Sequence, residues 1–209
     1  MLTGVLEKFA EARQGVLGVV PSLVIEPDET WTPVSAMPLD DLIQQTADRW
    51  GAPRHVGAAL FWKTYSYWHT MPMAVGWALD GQVPVMRFDD TWFKVSPAGV
   101  TVGATAVTWT DVDGIRPALL ESQEPLIKRI STLARVGERT LWGSTAEAFA
   151  HPLRDQVPGD YMSLLERIGP PVDGLIQSDG TRYLRRTCCL WVTLPDVEPC
   201  STCCVLSRH

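Results

Sequence analysis

What most constrains this chain is the position of its sulfur. All five cysteines fall between Cys188 and Cys204, and residues 1–187 contain none. Cysteines used as small buried hydrophobes scatter through a core, so one short stretch must fold with its thiols together. The rest must build a core without cross-links. Disulfides and metal coordination both gather thiols. Disulfide frameworks belong to short secreted chains with too little core. With 209 residues, and with Met1–Val20 lacking the basic and apolar segments of a secretory signal, metal coordination is the expectation.

The spacing narrows the metal. A zinc ribbon presents two C-x2-C turns, each giving a pair of ligands to one tetrahedral ion. Only one such turn occurs here, Cys200-Ser-Thr-Cys203, and the other half is an adjacent pair, Cys188-Cys189. Neighbouring side chains on an extended strand point to opposite faces. Either the backbone bends there, or the two sulfurs grip a body wider than one ion. A two-iron, two-sulfide cluster is such a body and takes four thiolates, so the spacing favours [2Fe–2S]. A structural zinc in an interaction protein is the second reading, and an iron–sulfur electron carrier the third.

The pattern Cys188-Cys189-x10-Cys200-x2-Cys203, preceded by Arg185-Arg186, resembles that of the FhuF-type ferric-siderophore reductases over about residues 170 to 206. The resemblance implies that Cys188, Cys189, Cys200 and Cys203 ligate a [2Fe–2S] cluster, with Cys204 outside the set. It implies an iron–sulfur oxidoreductase that passes one electron to the Fe(III) of a ferric siderophore and releases Fe(II). The electron comes from an external donor such as a ferredoxin or a reductase. Beside it, Arg185 and Arg186 have charge to offset that of a thiolate-bound cluster, or to meet a docking partner. Trp191 and Tyr183 are candidates to cover the cluster.

Other classes are disfavoured. A net charge of -6 argues against nucleic acid, because phosphates need a basic face. No apolar run reaches the roughly 18 residues of a spanning helix, and the clustered thiols point to the cytoplasm. Dinucleotide-binding and hydrolase motifs are missing from the sequence. Arg87 and Lys94 are weaker candidates for an anion, and His69 reads as core.

The predicted fold class is α+β: a mainly helical body over residues 1–169 with a small antiparallel sheet, then a β-rich cluster-binding unit over 170–209. Helices are expected at Leu2–Val19, Leu39–Trp50, His55 onward with a break at Pro72, Ile115–Val136, Glu138–His151 and Pro158–Ile168. Trp50 belongs to the inward stripe of the second. Ser144-Thr-Ala-Glu147 matches a capping box, which would start its helix near residue 144. Short β runs are expected over Val83–Trp109, as is a hairpin across Ser178-Asp-Gly-Thr181 and a strand at Leu190–Thr193.

Overall fold

In the computed structural model, which describes residues 23–96, 99–178 and 182–205, the aromatic segment forms one continuous 27-residue helix, Arg54–Asp80. It follows a helix at Leu39–Arg49, so the two are α1 and α2. The helix expected at Leu2–Val19 lies outside the described residues. The break expected at Pro72 does not occur. A mid-helix proline costs about 3 kcal/mol, but Met71, Met73 and Ala74 around it are at most 1% exposed. Burying a large apolar side chain contributes roughly 1.5–3 kcal/mol, so packing on all sides outweighs the lost hydrogen bond. Gly81 ends the helix at φ 74°, its N–H bonded to the Trp77 carbonyl.

In α1, Leu39, Leu42, Ile43 and Ala47 are buried as the stripe requires. Trp50 is not. The helix stops at Arg49, and Gly51, at φ 57°, turns the chain away. Trp50 is therefore carried outward and remains 39% exposed.

The expected single sheet divides in two. Strands β1 (Thr32–Pro33), β3 (Thr91–Ser96) and β4 (Gly99–Ala104) pair antiparallel in the order β1-β3-β4, with Phe93 opposite Val102. Strand β2 (Val83–Val85) pairs instead with β5 (Thr108–Thr110). A short 3-10 turn at Phe88–Asp90 redirects the chain between β2 and β3, separating the ladders.

The helix expected over Ile115–Val136 also divides, into α3 (Ile115–Ser122) and α4 (Glu124–Ala134). Pro125 suits the first turn of a new helix but cannot continue an old one. At the joint the buried Gln123 amide bonds His69 Nδ1 and Thr70 Oγ1, both at 2.9 Å, and accepts from Thr145 at 2.8 Å. His69 is thus core, as read. Helix α5 (Glu138–Asp155) begins six residues before the supposed capping box, and α6 (Tyr161–Ile168) is capped by Asp160 rather than opening at Pro158.

The terminal hairpin forms as expected, β6 (Ile176–Ser178) against β7 (Tyr183–Arg185). Val172, Leu175, Ile176 and Tyr183 enter the same apolar core as Trp62 and Phe149. Leu190–Thr193 is not a strand. Leu190 sits at φ 65°, and the Thr193 hydroxyl bonds the Leu190 carbonyl at 2.7 Å, closing a 3-10 turn at Trp191–Thr193. The fold class is α+β, and no described helix is long and apolar enough to cross a membrane.

Candidate functional site

The thiols occupy two ends of one loop. The chain leaves β7, reaches Cys188 and Cys189, rounds the Trp191 turn and returns at Cys200. The returning segment pairs with β7 through Arg185 N–H to the Thr202 carbonyl at 3.0 Å, and Cys203 N–H to the Cys200 carbonyl at 2.9 Å closes the C-x2-C turn. Neither cysteine pair lies on a strand, and the chain bends on either side of the adjacent pair, at Arg186–Thr187 and at Leu190. None of the five forms a disulfide; Cys189 and Cys203 are buried and the others half-buried.

Cys189 and Cys200, eleven residues apart in sequence, bring their sulfurs to 3.9 Å. A tetrahedral centre with metal–sulfur bonds near 2.3 Å holds its sulfurs about 3.8 Å apart, so this pair matches one such centre. Cys188 Sγ accepts from the Leu190 N–H at 3.3 Å, and Thr202 Oγ1 lies 3.8 Å from Cys200 Sγ. Among the described residues no three His, Cys, Asp or Glu side chains converge on a single point. The residues able to hold a metal group are therefore one close pair plus Cys188 and Cys203 beside it, with Cys204 adjacent.

The thiols are electrostatically unequal. A hydrogen bond from Cys189 holds Cys200 down to about 6, helped by Lys63 and Thr202 against the effect of burial. Cys200 is thus mostly thiolate at neutral pH, the form that binds metal. Cys189 is pushed well above the usual thiol range by the same hydrogen bond and by burial. Burial raises Cys188 and Cys204, while the positive charge of Arg185 works to lower both.

One carboxylate fastens this loop to the body. Arg185, 1% exposed, donates to Glu147 at 2.9 Å and to Ser144 Oγ at 3.0 Å. Thr202 donates to the other Glu147 oxygen at 2.6 Å, and Lys63 Nζ lies 3.5 Å from the oxygen that Arg185 holds. Burial alone would raise Glu147, but Arg185, Lys63 and Thr202 outweigh it and leave its pKa lowered. Ser144 and Glu147 are therefore not a capping box; they stand mid-helix as the receptor for Arg185. Gly143 makes the approach feasible, since a Cβ there would sit 1.8 Å from Thr187 Oγ1.

Arg186 departs from its partner. It is exposed and bonds Gln177 at 3.3 Å, so Lys63, not Arg186, is the second cation acting on the thiols. Trp191 is half-buried, donates to the Glu198 carbonyl at 3.0 Å and meets Trp50 edge-on at 4.9 Å. Tyr183 is buried in the core. Arg87 pairs with Glu121 at 3.0 Å, and Lys94 lies 4.6 Å over Trp31. Sequence reasoning missed Lys63, Glu147 and Thr202. The first two carried a signal: each is a lone charge in a densely apolar helical run.

A cavity of 660 Å³ opens between α1, α2, the β3–β4 hairpin and the thiol loop, with Cys200 and Trp191 in its wall. A second, of 370 Å³, lies on the other side of Lys63 against Ser144, Glu147 and His151. No family model matches this chain, and no curated protein does. What the site can do follows from its chemistry: one ready thiolate, four further thiols beside it, two cations and an adjoining cavity.

Proposed function

We propose that this chain is a cytoplasmic ferric-siderophore reductase of the FhuF type, with Cys188, Cys189, Cys200 and Cys203 holding a [2Fe–2S] group. The observation that carries the reading is the Cys189–Cys200 pair at 3.9 Å within a loop that gathers both cysteine pairs. Bound there, the group supplies one-electron transfer: a ferredoxin or reductase is the electron source, and the chelated Fe(III) substrate takes one electron and leaves as Fe(II).

The chain's own residues have three tasks. Cys200, with its pKa near 6, offers a thiolate without a large cost of deprotonation. Lys63 and Arg185 offset negative charge gathered on the sulfurs, and Glu147 fixes both cations in place. Donors remain at the base of the loop: Arg185 Nε and Thr187 Oγ1 are buried and have no hydrogen-bond partner among the described residues. Buried polar atoms call for partners, and a sulfide-bearing group offers acceptors to such donors. Buried Cys189 and Cys203 keep water from the site, whereas Cys200 reaches the cavity wall.

The test is metal analysis of chain purified without oxygen. The expected result is about two irons per chain, bleached by dithionite with a one-electron spin signal. Cys188→Ser, Cys189→Ser, Cys200→Ser and Cys203→Ser should each lose or distort it, and Cys204→Ser should not. A colourless protein loaded with zinc would end the proposal.

A further inference from the structure

Cys189 and Cys200 meet without a third ligand. Their sulfurs lie 3.9 Å apart across eleven residues of sequence, and among the described residues no further His, Cys, Asp or Glu side chain converges on them. The two differ in access. Cys189 is 2% exposed, whereas Cys200 is half-buried and stands in the wall of the larger cavity. A small oxidant entering that cavity reaches one sulfur, and the second lies in near contact with the first. Neither residue belongs to a helix or a strand. Between them the chain turns at Leu190, φ 65°, and through the 3-10 turn at Trp191–Thr193, so no regular ladder holds the sulfurs apart. The adjacent pairs, Cys188-Cys189 and Cys203-Cys204, are less suited to a bond of their own. Consecutive Cα atoms are about 3.8 Å apart, short of the roughly 4.4–6.8 Å that a disulfide takes. Cys203 and Cys200 share a backbone hydrogen bond across the C-x2-C turn, and a bridge between those two is the competing outcome.

We propose that in the metal-free chain Cys200 is a site of oxidation by peroxides, and that Cys189 resolves the product into a reversible Cys189–Cys200 disulfide. The Cys200 sulfur attacks one peroxide oxygen. The O–O bond breaks, Cys200 becomes a sulfenic acid, and water leaves with the thiol proton. The Cys189 sulfur then attacks the Cys200 sulfur; the S–O bond breaks, the S–S bond forms, and the hydroxyl departs as a second water with the Cys189 proton. Two thiols lose two electrons and two protons, and one peroxide becomes two waters. A sulfenic acid left alone is oxidised further to sulfinic acid, which thiols do not reverse. A neighbouring thiol diverts it instead to a disulfide, which a dithiol reopens by exchange. The bridge occupies two of the four sulfurs proposed as ligands, so it blocks loading of the loop until it is reduced. It forms whichever metal those thiols otherwise hold.

Full-length protein, stripped of metal and fully reduced without oxygen, would be treated with equimolar hydrogen peroxide, alkylated, and cleaved at Asp196, which separates Cys188 and Cys189 from the other three cysteines. The intact chain should lose two hydrogen atoms, and the two fragments should stay joined until a dithiol is added. The bridged protein should take up neither iron nor zinc before that reduction. Cys189→Ser should leave Cys200 as a sulfenic acid that dimedone traps and excess peroxide carries to sulfinic acid. Cys200→Ser should slow the first loss of thiol at least about tenfold. A chain combining Cys188→Ser, Cys203→Ser and Cys204→Ser should still bridge. Mapping on unaltered protein keeps the test valid if a variant folds poorly. Fragments that separate after cleavage, a joining bond that persists in Cys189→Ser, or sulfinic acid at Cys200 of the unaltered chain each overturns the proposal. Its failure is separable from that of the function: iron-loaded protein whose stripped chain gives no bridge defeats only the disulfide, and zinc-loaded protein whose stripped chain bridges defeats only the reductase.

Discussion

The packed face between α2 and α5 and the thiol loop that leans on it are held by different physics. In the body, Trp62, Tyr65, Leu141 and Phe149 are fully buried, and the Trp62 indole N–H finds the Leu141 carbonyl at 3.0 Å. Apolar burial does the holding, strongly enough that the buried Tyr65 hydroxyl and His69 Nε2 have no hydrogen-bond partner among the described residues. The loop has little of this. Leu194 packs with Val56 and Leu60 in a small separate cluster, Trp191 meets Trp50 edge-on, and the charged attachment is the Arg185–Glu147–Thr202 network. The body therefore has a core of its own, while the loop's order depends on one buried ion pair and on whatever its thiols bind. Injury to each should show in a different measurement.

The largest separation should come from Glu147→Ala. It leaves Arg185 buried and unpaired, a lesion that costs about 3–5 kcal/mol. Because Arg185 and Thr202 both lose their acceptor, the cost falls on docking of the loop. All five thiols should then react rapidly with a thiol reagent while the far-ultraviolet helix signal persists. Simultaneous loss of both signals would mean that loop and body form one cooperative unit, and the distinction drawn above would fail.

Acid should part the two regions in a graded way. His69 is fully buried, and its pKa is lowered from 6.5 to about 4 by burial. A depressed folded value means the unfolded chain takes the proton first, so stability falls as pH drops from 6.5 towards 4. The amount is roughly 3 kcal/mol. Glu147 is also depressed, from 4.5, so its contribution is complete above that pH and fades only below it. Urea midpoints of the body should decline between pH 6.5 and 4.5 while thiol protection, corrected for reagent rate, holds. His69→Leu should flatten that decline; an unchanged slope would remove His69 as its source.

Much of the body was readable because its signals are local. Asp40 and Asp41 open α1 ahead of its apolar stripe, and the hairpin from Ile176 to Arg185 follows from its turn residues. The cysteine loop was readable for a different reason, since no local structure explains five thiols in so short a span. What sequence pattern misread were positions whose partners are distant. Ser144 and Glu147 have the spacing of a helix start, but their partner Arg185 lies 41 and 38 residues away. Pro72 breaks helices in isolation and does not here, because the surrounding core overrides local preference. Gln123 divides a helix by bonding a histidine 54 residues earlier. Long-range hydrogen bonds leave no periodicity for a reader of the sequence to find.

The smallest test acts where body and loop touch without a charge. Trp50, at the end of α1, meets Trp191 of the loop with ring centroids 4.9 Å apart and planes at 79°. Edge-to-face pairs contribute about 0.5–1.5 kcal/mol beyond the area they bury, so Trp50→Ala should cost about 1 kcal/mol of loop docking and leave the body's unfolding nearly unchanged. A double-mutant cycle with Trp191→Ala isolates the pair, read as the free energy of local opening from thiol exchange kinetics. Coupling near 1 kcal/mol in that local measurement, with none in global unfolding, puts the contact on the loop's side of the division. Coupling in global unfolding instead would extend the body's cooperative core to the Trp191 turn and leave Glu147 as only one of two attachments that matter.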